Sequence, residues 1–256
     1  MSAALPDLIA AALERDAARP LLTYYDDATG ERVELSGATM ANWVAKIANL
    51  MQDEYDVGRG VRVAVLLPAH WQSAAVLLAT WLLGAEATTD PSVATVVFGT
   101  ETSLGDLAPG GPPRIALSLL PLGRPFDGVP ADAQDFAVLV PPQPDAFAAY
   151  DAPADGDLAT SDGADQMPAG ELAQLAEESA GALGLGPADR VLVAGAAERT
   201  DDLLLGLLAP LAACASLVVV AHPDPAVLPD RCAAELVTAT VGIDVVGVRR
   251  LDTGAR

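Results

Sequence analysis

The chain has 256 residues, enough for one or two domains and for a core that needs neither metal nor disulfide. Hydrophobic residues make up 52% of it, which excludes intrinsic disorder, and aromatics only 4%, so the core must be built from Ala, Val and Leu. Acidic residues outnumber basic ones 35 to 14, giving a net charge of −21; such a surface repels phosphate backbones and excludes nucleic-acid binding.

The stretch from Met1 to Asp16 lacks the basic region and apolar run of a signal peptide. Cys214 and Cys232 are too few for a disulfide framework or a zinc site. Together these point to a cytoplasmic protein. Residues 21–25 read as a strand, Asp26 to Gly30 as a turn and residues 31–35 as the returning strand. Ser36 has the character of a helix N-cap, and Trp43, Val44, Ile47, Leu50 and Met51 recur at helical spacing after it.

Strand and helix then alternate. Residues 62–67, 95–98, 114–119 and 136–140 read as strands and 73–83 as a helix stopped by Gly84. Pro141, Pro142, Pro144 and Pro153 make 141–157 a linker or crossing segment. Beyond it, residues 169–183, 202–212 and 225–235 read as helices, 190–193 and 216–220 as strands, and 237–248 as extended chain. Unbroken Val/Leu runs indicate strands buried on both faces, hence mostly parallel sheets. The expected fold is therefore α/β with two lobes of mostly parallel sheet flanked by helices. Residues 1–140 would form the first lobe, with the hairpin at its edge, and 158–256 the second. The uncharged runs 63–85 and 203–221 each divide into a strand and a helix, so no membrane span is expected.

The segment Val57-Gly58-Arg59-Gly60-Val61-Arg62-Val63-Ala64-Val65-Leu66-Leu67-Pro68, followed by residues 71–85, resembles the first lobe of the adenylate-forming (AMP-binding) enzymes, which include acyl-CoA synthetases. Residues 183–192 resemble the stretch after that family's phosphate loop. The chain as a whole is similar to a family of short actinobacterial proteins that match the N-terminal portion of these enzymes. In the enzymes a Ser/Thr/Gly-rich loop ending Pro-Lys-Gly cradles the ATP phosphates, and its lysine neutralises their charge.

Here the matching stretch runs Thr160-Ser161-Asp162-Gly163-Ala164-Asp165-Gln166-Met167-Pro168-Ala169-Gly170. Thr160, Ser161, Gly163 and Gly170 match the loop and would be its vestigial nucleotide contacts. Ala169 stands where the lysine belongs, and Asp162 and Asp165 are two acids that would repel a triphosphate. Asp162 to Met167 is expected to form a solvated turn. The resemblance also implies a ribose-holding acid and a second lysine, both in a region of the relatives that would follow Arg256. The expectation is an incomplete adenylating site, with no catalytic residue assigned. Lys46, the single lysine, is expected on the solvent face of its helix and cannot substitute.

His70 follows a strand end, where α/β ligands sit, and equally suits a capping or packing role before a helix. His222 reads as a lone exposed histidine, and no Cys/His/acid set completes a metal site. Asp26 and Asp27 fit a hairpin turn, and Asp201 and Asp202 a helix start. There is no hydrolase nucleophile elbow and no dinucleotide fingerprint. Three functions stay open. One is a non-catalytic, degenerate AMP-binding-like domain acting as a binding or regulatory module, with no cofactor and an unknown protein partner. Another is a protein that still binds ATP, AMP or an acyl-adenylate with help from a partner chain. The third, implied by the resemblance alone, is an interaction protein of cell-envelope polysaccharide assembly.

Overall fold

The computed structural model describes residues 4–162, 165–194 and 203–252. In chain order the first half contains α1 (Leu5–Glu14), β1 (Pro20–Asp26), β2 (Glu31–Ser36), α2 (Gly37–Tyr55), β3 (Arg62–Leu66), α3 (Trp71–Leu82), β4 (Glu86–Thr88), β5 (Val96–Gly99), α4 (Glu101–Gly105), β6 (Arg114–Ala116), β7 (Ala133–Asp135) and α5 (Phe136–Leu139). The second half adds β8 (Leu158–Asp162), β9 (Asp165–Pro168), α6 (Ala169–Ala182), β10 (Arg190–Ala194), a π-helical turn (Leu204–Leu208), α7 (Ala209–Ala212), β11 (Ser216–Ala221), α8 (Leu228–Ala234), β12 (Ala239–Val241) and β13 (Arg249–Arg250).

The strands form two sheets, ordered β13-β12-β10-β11-β1-β2 and β7-β6-β5-β3-β4-β8-β9. Each is parallel except for one antiparallel hairpin at its end, β1–β2 in the first and β8–β9 in the second. One continuous core lies between the facing sides of the sheets and contains the buried sides of α1, α2, α3 and α6. The unbroken Val/Leu runs follow from this layering. In β10, Val191 and Val193 face that inner core, while Leu192 packs on the outer side with Leu228 and Cys232 of α8. The second sheet repeats the pattern, with Val63, Val96 and Phe98 inside and Ala64, Val97 and Leu104 outside.

Local signals are obeyed where the chemistry is local. The Ser36 side chain accepts the Thr39 N–H at 3.1 Å and starts α2. Gly30 turns the hairpin at φ +77°. Gly242, at φ +79°, allows a close crossing, since a Cβ there would stand 2.0 Å from the Ala194 carbonyl oxygen.

Several expectations are corrected. The β1–β2 hairpin does not edge the sheet of its sequence neighbours; β1 pairs in parallel with β11, Leu22 opposite Leu217. Conversely β8, beyond the proline-rich segment, pairs with β4. Sheet membership thus does not follow the sequence division at 141–157. Of residues 136–140, Phe136–Leu139 are helical rather than extended, because Asp135 Oδ1 accepts the Ala137 N–H at 2.8 Å and caps a turn. The helix expected at 202–212 opens, within the described residues, as a π turn in which the Ala209 N–H reaches back to the Leu204 carbonyl. Pro210, which has no N–H to offer the Gly206 carbonyl, accounts for the widened turn. Of residues 237–248 only β12 is strand. Helix α1 is not among the expected elements, although Leu5, Leu8, Ile9, Ala12 and Leu13 form a buried stripe at helical spacing.

Lys46 is not a solvent-face residue. Its Nζ donates to the Pro141 carbonyl at 2.8 Å and to the Gln143 carbonyl, and pairs with Asp145 at 3.0 Å. Asn49 Nδ2 donates to the Pro144 and Ala146 carbonyls, and Gln52 Nε2 to that of Ala148. The proline-rich segment is therefore strapped along α2 by one side-chain row, which satisfies carbonyls that no strand or helix pairs.

The outer face of the first sheet carries a charged cluster. Arg190 Nη2 donates to Glu235 at 2.5 Å and to Thr23 at 2.7 Å, and Arg32 reaches the same Glu235 at 3.2 Å. Arg231 holds Asp27 with both terminal nitrogens and lies 4.2 Å over the Tyr25 ring. Asp26 is bound by the Ala28 N–H and stands 2.9 Å from the exposed His222 ring, so that histidine is partnered rather than alone. Among the described residues no helix is long and apolar enough to cross a membrane, and no group of three or more His, Cys, Asp or Glu could hold a metal. Asp201 and Asp202 lie outside the described residues.

Candidate functional site

A cavity of about 740 Å³ opens between the sheets, at the carboxyl ends of the parallel strands. One wall is Leu66 of β3 with the Leu67–His70 loop, Thr88 of β4 and Thr160 and Ser161 of β8. The other is Leu22, Val193 and Val219 of the first sheet, with Leu203 and, from the π-helical turn, Gly206 and Leu207. Crossover connections place helices on the sheet faces, so the strand ends are where side chains from several strands converge around open space. The walls are mostly apolar. Among the described lining residues Asp106 is the sole carboxylate, and there is no Lys or Arg.

The structure brings Thr160 and Ser161 to this cavity, both buried. Ser161 is tied into the sheet: its hydroxyl donates to Glu86 Oε1 and stands 3.4 Å from Thr88 Oγ1. Glu86 is itself buried and accepts from Arg62 Nε at 2.9 Å. The segment expected to be a solvated turn is instead a hairpin, with Thr160 opposite Met167, Ser161 opposite Gln166 and Asp162 opposite Asp165. The anchoring of Ser161 beside β4 explains this, because it leaves the far edge of β8 free to pair with β9.

Gly163 lies outside the described residues. Gly170, the second residue of α6, does not line the cavity; its N–H donates to the Asp155 carbonyl at 2.9 Å, and a Cβ would meet Asp155 Cβ at 2.9 Å. It is small because another chain segment crosses there. Ala169 opens α6 with its N–H on the Asp157 carbonyl.

His70 is the polar residue at the join of the two sheets. It caps α3, its Nδ1 accepting the Gln72 N–H at 3.2 Å. The residue is 3% exposed, and its ring meets Tyr24 edge to face at 4.3 Å and lies 5.6 Å from the Trp71 ring. Burial pushes its pKa down to about 3, against a weaker upward pull from Asp26, so the ring is neutral. Of the readings the sequence offered for His70 the structure shows the cap on α3, and it also places the residue on the cavity wall. Thr88, Thr100, Thr102 and Ser103 were not singled out in the sequence. Their common signal is a hydroxyl residue at or just beyond a strand's carboxyl end.

No protein-family model matches the chain. It is 46% identical over 233 residues to a TIGR03089 family protein of Mycobacterium tuberculosis (strain ATCC 25618 / H37Rv), covering 88% of this chain and 93% of the relative. Among solved structures, an acyl-CoA synthetase of Brucella canis superposes with a TM-score of 0.77 at 17% identity, over 94% of this chain and 48% of that one. A long-chain-fatty-acid-CoA ligase of Archaeoglobus fulgidus gives 0.76 at 15% identity, over 94% and 51%. The N-terminal domain of FACL13 from Mycobacterium tuberculosis gives 0.70 at 14% identity, over 94% and 62%. The chain thus spans about half the length of the first two of these structures. At such identities the likeness is one of fold. The chain belongs to the TIGR03089 family, built on the α/β fold of the N-terminal portion of AMP-binding enzymes.

Proposed function

We propose that this protein is a non-catalytic binding module of AMP-binding ancestry, whose inter-sheet cavity takes a small, mainly apolar, uncharged molecule. One observation carries the reading: the roughly 740 Å³ cavity is walled by Leu22, Leu66, Val193, Leu207 and Val219, and no cationic side chain is among its described lining residues. Among the described lining residues a triphosphate seated there would meet Asp106 and no neutralising charge. Ala169, in the place of the loop lysine, supports the same conclusion. Two free cysteines suit a cytoplasmic setting. Calorimetric titration with ATP, AMP, a non-hydrolysable acyl-adenylate analogue and isopropylbenzene tests this. Heat with isopropylbenzene alone is the expected result; saturable ATP binding would sink it.

A second reading, a nucleotide or acyl-adenylate binder completed by a partner chain, is favoured by the Thr160 and Ser161 side chains at the cavity wall. It requires that the acyl-adenylate analogue bind, if only weakly, in the same titration.

A further inference from the structure

We propose that the Thr160 hydroxyl anchors the cavity's ligand, so that the molecule bound there is an apolar body carrying one uncharged hydroxyl or amide group. This rests on the reading of the cavity as a binding site.

The strand register aims Thr160 between the sheets. β8 pairs with β4, Thr160 opposite Ala87, and Ala87 belongs to the inner core. Residues opposite each other across a ladder share a face, so Thr160 points inward to the cavity it lines. The next residue, Ser161, points the other way, to Glu86. Thr160 is 6% exposed, yet its side chain makes no hydrogen bond among the described residues. Nor is its hydroxyl sealed off; a water-sized molecule reaches it, unlike His70 Nε2 or Gln72 Oε1. A buried hydroxyl without a partner is costly, and a ligand group that reaches it recovers that cost.

The other hydroxyls on the wall are either committed or already in water. The Ser73 hydroxyl donates to the Pro68 carbonyl at 2.6 Å, Ser103 to the Leu66 carbonyl at 2.9 Å, Ser161 to Glu86, and Thr100 to Ser103 at 3.2 Å. Thr88 Oγ1 accepts the Asp90 N–H at 3.2 Å and stands 3.4 Å from Ser161 Oγ. Thr89 and Thr102 are exposed, so a ligand there only replaces solvent. Among the described lining residues Thr160 is thus the one hydroxyl both buried and unpartnered.

The rest of the ligand follows from the opposite wall. The first sheet and the π-helical turn offer it hydrocarbon from Leu22, Val193, Val219 and Leu207. A charged group beside Thr160 would be desolvated with no buried counter-charge among the described lining residues, since Asp106 is exposed. The group that meets Thr160 is therefore neutral, and a hydroxyl, which both donates and accepts, suits one of its own kind or an amide.

Four molecules of nearly one shape test this by calorimetry: isopropylbenzene, 1-phenylethanol, the 1-phenylethylammonium ion and 2-phenylpropanoate. The two neutral probes are expected to bind and the two ions not to. Thr160→Val keeps the shape and removes the hydroxyl; it should weaken 1-phenylethanol about fivefold and change isopropylbenzene by less than about twofold. Thr160→Ser should restore the alcohol's affinity. If Thr160→Val leaves the ratio of the two neutral affinities unchanged, or either ion binds more tightly than the alcohol, the anchor is wrong and the cavity reading stands on isopropylbenzene. If neither neutral probe binds, both fall. Should Thr160→Val misfold, the same ratio is read in Thr160→Ala.

Discussion

His70 and Tyr24 meet edge to face across the join of the two sheets, their ring centroids 4.3 Å apart. Tyr24 belongs to β1 of one sheet and His70 follows β3 of the other, so protonation of the imidazole would place a charge at the seam. The folded pKa of about 3 lies below the usual 6.5, so the unfolded chain binds the proton more readily. Stability is therefore full above about pH 6.5 and falls as pH drops toward 3. Between pH 7 and pH 5 the expected loss is about 2 kcal/mol, before the carboxylates titrate. Urea unfolding of wild type and His70→Asn at both pH values checks this; an equal loss in the two proteins would contradict it.

Lys46→Met should release the strap on α2. The substitution keeps the apolar stem and removes bonds to the Pro141 and Gln143 carbonyls and the pairing with Asp145. A destabilisation of about 1–2 kcal/mol is expected. The more specific sign is faster thermolysin cleavage within 141–150 under native conditions; unchanged cleavage sites and rates would argue against the strap.

Glu235 is held by opposing effects. Burial pushes its carboxyl up, but hydrogen bonds from Tyr25, Arg190 and Arg32 outweigh this and hold it below the usual range. Its contribution is therefore present above the ordinary glutamate pKa and is lost as pH falls through the depressed one. Glu235→Ala leaves the largely buried Arg190 guanidinium without its carboxylate and should cost about 3 kcal/mol or more. Thermal unfolding at pH 7 would show it, and Glu235→Gln should restore part of the loss.

On the proposed reading the protein should not exchange pyrophosphate into ATP with any carboxylic acid, since the resemblance puts Ala169 where the lysine belongs and the cavity presents no lining cation among the described residues. Ala169→Lys alone should not create ATP binding. The new side chain would stand at the start of α6, beside a cavity wall that still bears Asp106. Protein-dependent exchange above a heat-killed control would overturn the non-catalytic reading.

What could be read from the sequence were the features whose causes lie close together in the chain. Ser36 and Thr39 are three residues apart, and the β3–α3 unit and the stop at Gly84 follow from adjacent residues. Sheet membership could not be read, because the hydrophobic pattern of β1 or β8 says that a strand is buried without naming its neighbour. The cavity was equally hidden. Thr88, Ser161, Val193 and Val219 come together only when strand ends from both sheets converge. At Gly170, a motif position legible in the sequence, the structure adds what the sequence did not show, the close passage of Asp155.

The pairing of β1 with β11 has a consequence during synthesis. Leu22 leaves the ribosome 195 positions before its partner Leu217. At translation rates of about 5–20 residues per second, the β1–β2 hairpin waits roughly 10–40 s with one edge uncovered. That edge carries Leu22, Tyr24 and Tyr25 on a strand with free backbone donors and acceptors, the kind of surface that chaperones and neighbouring nascent chains recognise. The yield of folded protein should therefore depend on how fast the last third of the chain is made.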